Sequence, residues 1–234
     1  MAKVITALLD LSVSRLAETM DVLRVTYTTR VGRPVKAIEI RQKKPVPPDQ
    51  QWRQMQMEAL PTIARLCREN RVKLCGSTEL SLEAMKGTFR GGNVTGDLLE
   101  GVKLDHVPCA IDRSKFQQMD LEKYIEKTTV VEFCKLLLRL DCSALAESSW
   151  PVGRLTEPEV TNVRNLERFR ELCATLDESQ YPDALHLWTA EVNELDYFLT
   201  ADRAFINVMT KTARVQLKTK PIAPRELLDE LEMS

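Results

Sequence analysis

From Tyr181 to Phe205 the chain runs YPDALHLWTAEVNELDYFLTADRAF, an apolar helical stretch followed directly by a short apolar strand, Tyr197–Thr200. Each piece carries a carboxylate at an end: Asp183 opens the helix and Asp202 follows the strand. A second apolar run, Val4–Leu9, ends the same way, in Asp10. Runs this short and this continuously apolar belong to strands of a parallel sheet buried on both faces. Such strands need helices on either side, so the expected fold class is α/β, a short, mostly parallel sheet flanked by helices in a three-layer α/β/α sandwich. In an open sheet of this kind chemistry gathers at the carboxyl ends of the strands, where Asp10 and Asp202 are expected.

After Asp10, Ser12 or Ser14 offers a cap for a helix with apolar residues at Val13, Leu16, Ala17, Met20 and Leu23. Residues 24–44 alternate apolar and polar around Val31-Gly32-Arg33, the pattern of a β-hairpin. That ribbon carries Lys or Arg at 24, 30, 33, 36, 41, 43 and 44 against one acid, Glu39. It reads equally as a charged edge that prevents aggregation or as an arm that grips phosphates. Pro45–Pro48 break structure, and Trp52 to Cys67 form one helix or two, bent or restarted at Pro61. Val72–Cys75 reads as a strand, and Ser77 or Thr78 caps a helix ending near Gly87.

Gly91-Gly92 and Gly96 mark a loop, and Val107–Ile111 is the expected third strand. Val130–Leu140 reads as a largely buried helix, with Pro151 and Gly153 breaking the chain after it. Thr156-x-x-Glu159 is a capping box that opens a helix reaching Leu176. Val215–Lys218 reads as an edge strand and Arg225–Leu231 as the last helix, opened by Pro224. Asp177 and Asp196 are expected at the surface.

A formal net charge of −1 excludes a global basic field, so any grip on nucleic acid must be local. No apolar run approaches the ~20 residues that span a bilayer, and the N-terminus lacks a small-residue cleavage site. Cysteines 67, 75, 109, 134, 142 and 173 include no CxxC pair, and there are only two histidines. That usage points to reduced core thiols in a cytoplasmic protein and away from a zinc site. Nucleotide-triphosphate, dinucleotide, serine-hydrolase and zincin motifs are absent.

Asp183-Ala184-Leu185-His186, then Thr200, Asp202 and Phe205, resemble the signature of the PIN-domain nucleases in order and spacing. In that family the first strand ends in Leu-Asp-Thr-Asn or similar; Leu9-Asp10-Leu11-Ser12 keeps the acid and replaces its neighbours. The family's second acid falls about six residues past a strand-end Ser and four before a Gly, a register that Ser77, Glu83 and Gly87 fit and Glu79 misses by a turn. The resemblance covers about residues 3–23, 71–87 and 181–231. It implies one PIN-like domain over residues 1–234, with insertions at about 24–57 (the basic hairpin) and 88–180 (mostly helical).

Singly, each acid reads as a helix cap or turn former. Together, Asp10, Glu83, Asp183 and Asp202 would form a cluster whose self-repulsion a hard divalent cation relieves, and oxygen-only ligation suits Mg²⁺ or Mn²⁺. Thr200 and Ser12 are expected to orient the ligands, while His186 is left outside as a packed or hydrogen-bonded histidine. The resemblance implies a metal-dependent endoribonuclease acting on single-stranded RNA, leaving 5′-phosphate and 3′-hydroxyl ends. Arg30, Arg33, Lys36 and Arg41 are then the RNA-binding set. Many family members are toxins, so an antitoxin or other protein partner and a homodimer enter as expectations; a membrane does not. The competing reading is a non-catalytic PIN-like module that binds a protein or RNA.

Overall fold

The computed structural model describes residues 3–86, 95–116, 126–141, 155–212 and 215–232; Gly87, Gly91-Gly92, Cys142, Pro151 and Gly153 lie outside them. Strand β1 (Ile5–Leu9) leads into α1 (Leu11–Ala17), and the paired strands β2 (Met20–Thr28) and β3 (Pro34–Gln42) follow. After α2 (Gln51–Arg68) come β4 (Val72–Gly76), α3 (Thr78–Lys86) and β5 (Asp105–His106). Helices α4 (Lys127–Arg139), α5 (Glu157–Arg164), α6 (Leu166–Cys173) and α7 (Tyr181–Val192) come next. The described chain ends with β6 (Tyr197–Leu199), α8 (Arg203–Asn207), β7 (Lys220–Ile222) and α9 (Pro224–Glu232).

The central sheet has five strands in the order β5-β4-β1-β6-β7, and every pairing is parallel. Alternation along each strand divides the apolar side chains between two cores. Leu8, Cys75 and Phe198 meet α4, α6 and α7 on one face, while Ala7, Leu9, Leu74 and Leu199 meet α1, α2 and α9 on the other. Burial on both faces is why β1 is apolar at consecutive positions. Helices flank the parallel sheet on both sides, an arrangement compatible with a three-layer α/β/α sandwich. No described helix is long and apolar enough to cross a membrane, and the cysteines among the described residues are free thiols.

Local chemistry moves several expected boundaries. Asp10 itself, rather than Ser12 or Ser14, caps α1, accepting from the Ser12 amide at 3.2 Å. The helix ends at Ala17 because Glu18 is extended, so Met20 and Leu23 belong to β2. Helix α2 passes through Pro61 without restarting, and its buried face (Ala59, Leu60, Ile63, Ala64) offsets the missing hydrogen bond. The third strand is Asp105–His106 rather than Val107–Ile111, since the Ala110 amide turns inward to the Thr189 hydroxyl at 3.1 Å. The capping box at Thr156 and Glu159 is present, but Asn165, at φ −110° and ψ 37°, splits the expected helix into α5 and α6.

The edge strand is Lys220–Ile222 rather than Val215–Lys218. There the Lys218 amide is taken by Glu191 at 3.0 Å and the Thr219 hydroxyl by the Leu195 carbonyl at 2.7 Å. Asp196, expected at the surface, is half-buried and accepts from the amide and hydroxyl of Thr6 at 2.9 and 3.0 Å. It also pairs with Lys3, and the bonds from Lys3 and Thr6 outweigh burial to hold its carboxyl below the usual range.

The hairpin has the expected turn. Gly32 sits at φ +75°, a conformation that favours glycine, and the Thr29 amide bonds the Arg33 carbonyl at 2.9 Å. Strands β2 and β3 pair along their whole length and pack on no other described element to a comparable extent. Their base is held by Lys43, whose amide meets the Thr19 carbonyl at 2.8 Å and whose ammonium meets Glu18 at 3.2 Å.

Candidate functional site

In the order β5-β4-β1-β6-β7 the chain builds outwards from β1 on one side, then crosses to build from β6 on the other. The carboxyl ends of β1 and β6 therefore flank the topological switch point, where an open α/β sheet leaves a crevice. Asp10 follows β1 directly, and Thr200 and Asp202 follow β6.

A hydroxyl clamp ties these two strand ends together. Oδ2 of buried Asp10 accepts from the Thr200 hydroxyl at 2.8 Å and from both the amide and hydroxyl of Ser12. Ser12 Oγ in turn accepts from the Ala201 amide at 2.8 Å, and Thr200 Oγ1 accepts from the Asp202 amide at 3.1 Å. Asp202 turns one carboxylate oxygen to the Phe205 amide at 2.9 Å, capping α8. Ser12 and Thr200 thus fix the Asp10 carboxylate and bring the backbone of Asp202 beside it.

His186 of α7 meets Glu83 of α3. It is buried on α7, with its ring stacked on Phe198 of β6 at 6.3 Å between centroids. Its Nε2 lies 3.5 Å from Oε1 of Glu83 on α3. Burial disfavours the imidazolium, but the charge and hydrogen bond of Glu83, with the charges of Asp10 and Asp183, outweigh it and raise the pKa from 6.5 to about 9. Asp183 lies in the first turn of α7, three residues before His186 and so on the same helix face.

Glu79 does different work. Its carboxylate takes two hydrogen bonds from Arg113, both at 3.1 Å, and both side chains are buried. This pair links α3 to the loop after β5 and leaves Glu83 as the acid on α3 that meets His186. Sequence reasoning left His186 outside the site; its three-residue spacing from Asp183 was the available signal. Nothing in the sequence pointed to Arg113.

Glu83 thus lies against the His186 imidazole, the charges of Asp10 and Asp183 also act on it, and the Asp202 backbone is joined to Asp10 through Thr200. Among the described residues no group of three or more His, Cys, Asp or Glu side chains stands close enough to hold a metal ion. The donor chemistry, all carboxylate, suits a hard divalent cation, but the side chains are not drawn to a common point. Arg30, Arg33, Lys36 and Arg41 are all exposed on the hairpin, and Arg41 pairs with Glu39.

Compared with family models, curated proteins and solved structures, the chain has no significant match.

Proposed function

We propose that the protein is a PIN-like, metal-dependent endoribonuclease that hydrolyses phosphodiester bonds of single-stranded RNA at the crevice beside β1, β6 and α7. The observation that carries this reading is geometric. The Thr200 hydroxyl after β6 donates to the buried Asp10 carboxylate after β1 and accepts from the Asp202 amide, so the two strand-end acids lie at adjoining strand ends. Glu83 meets the buried His186 on the helix that also carries Asp183.

The four carboxylates would hold Mg²⁺ or Mn²⁺, which when bound supplies a water of lowered pKa and neutralises charge on the phosphoryl group. Ser12 and Thr200 orient Asp10. Protonated His186 offsets part of the mutual repulsion of the acids and steadies Glu83. The exposed cations Arg30, Arg33, Lys36 and Arg41 take the RNA backbone, so the long insertions serve substrate or partner binding rather than the chemistry.

The test is cleavage of end-labelled single-stranded RNA by purified protein. Cleavage is expected with Mg²⁺ or Mn²⁺, leaving 5′-phosphate and 3′-hydroxyl ends, and is expected to fall to background in EDTA or with Asp202→Asn. Undiminished cleavage in EDTA or by Asp202→Asn overturns the assignment.

A second reading, a non-catalytic interaction module, is favoured by two observations. No group of three ligating side chains is drawn together among the described residues. The hairpin also presents Val31 at 80% exposure and Ile40 at 65%, apolar surface suited to a partner. RNA or protein binding without metal-dependent cleavage would assign that reading.

A further inference from the structure

An open cavity of about 550 Å³ lies beside Arg203, the residue that follows Asp202 in the chain. Its walls are Trp52, Arg53 and Met55 from the start of α2, Asp49 and Gln50 from the turn before it, and Arg203 from the start of α8. The Arg203 guanidinium lies over the face of the Trp52 ring, 5.7 Å from its centre. Trp52 is half-buried, and Met55, which also lines the cavity, is 43% exposed.

This combination is chemically selective. An indole and a soft thioether offer apolar contact, and Arg53 and Arg203 are exposed cations against the single acid Asp49 in the lining. A ligand with an aromatic face and a nearby anion matches that lining, and a nucleotide has both. Only an unpaired base can enter, because a base within a duplex has both faces covered by its neighbours. Arg203 follows Asp202 in the chain, just past the carboxyl end of β6.

We propose that this cavity is a base-stacking subsite for one unpaired nucleotide of an RNA strand, flanking the phosphate presented to the acids. Arg203 swings off the Trp52 ring as the base stacks on it, and Arg203 and Arg53 hold the phosphate. The proposal rests on the RNA reading of the neighbouring site and adds a reason for single-strand preference. Stacking on any base makes the subsite sequence-tolerant.

The test is fluorescence anisotropy in EDTA, so that binding is read without metal-dependent cleavage. The probes are a short labelled single-stranded RNA, its duplex with the complementary strand, and the same strand carrying an abasic position. Trp52→Ala is expected to weaken single-strand binding about 5- to 100-fold. Trp52→Phe, which keeps a ring and guards against a folding defect, is expected to retain most of the affinity. Arg203→Gln is expected to weaken binding and flatten its salt dependence, and the duplex is expected to bind weakly in every variant.

Wild-type affinity in Trp52→Ala, equal loss in Trp52→Phe and Trp52→Ala, or no preference of the wild type for the single strand overturns the subsite. Trp52-dependent binding by a protein that never cleaves RNA keeps the subsite and removes the hydrolase reading. Metal-dependent cleavage with Trp52-independent binding removes the subsite alone.

Discussion

Burial favours a neutral imidazole, yet the acids around His186 raise its pKa from 6.5 to about 9. A raised pKa means the folded state binds the proton more tightly than the unfolded chain does. Its stabilisation is therefore complete below about pH 6.5 and is lost as pH rises through about 9. A shift of this size corresponds to on the order of 3 kcal/mol. Urea denaturation at pH 6 to 9 should show the wild type losing stability across that window, and His186→Gln should lack this pH dependence; identical slopes would mean His186 is not held charged. The Arg113–Glu79 pair gives a second expectation. Arg113→Met strands a buried carboxylate and should cost about 3–5 kcal/mol, and adding Glu79→Leu should recover most of it. An additive double variant would refute the coupling. At this scale the strand-end acids were legible, because a carboxylate closing an apolar run stands out. The Arg113 pair was not, because its partners are distant in the chain and Arg113 lies on no patterned segment.

At the scale of elements, the β2–β3 hairpin is built mainly on itself. Replacing residues 20–42 with a short turn should leave the thermal transition of the body nearly unchanged by circular dichroism, while RNA affinity falls. Collapse of the body would show that the hairpin is part of the core. Changing Arg30, Arg33 and Lys36 together to Ser should flatten the salt dependence of RNA binding by about 0.7 in logarithmic slope for each phosphate no longer neutralised. Helix α2 carries Pro61 at an exposed position in its interior. Pro61→Ala restores a backbone donor and should raise stability by up to about 3 kcal/mol in urea titrations; a decrease would mean the bend it imposes is needed for packing. The long patterned elements, β1, α7 and the hairpin, were readable from period and turn chemistry. The short edge strands β5 and β7 were not, because side chains of α7, Thr189 and Glu191, take backbone donors that pattern alone assigned to strands.

For the whole molecule, parallel strands covered by helices on both faces follow from the apolar runs. The strand order puts the ends of β1 and β6, with Asp10 and Asp202 after them, at the switch point. That order was not in the sequence pattern, and neither was the meeting of α3 with α7 that brings Glu83 to His186. The central claim is that Asp10, Glu83, Asp183 and Asp202 act as one divalent-cation site. Binding of Mn²⁺ to the purified protein, followed through the paramagnetic signal of the free ion, tests it most directly. Wild type should take up Mn²⁺, and both Asp10→Asn and Asp202→Asn should lose that uptake while keeping wild-type circular dichroism. No uptake by the wild type, or equal uptake by all three proteins, would contradict the claim.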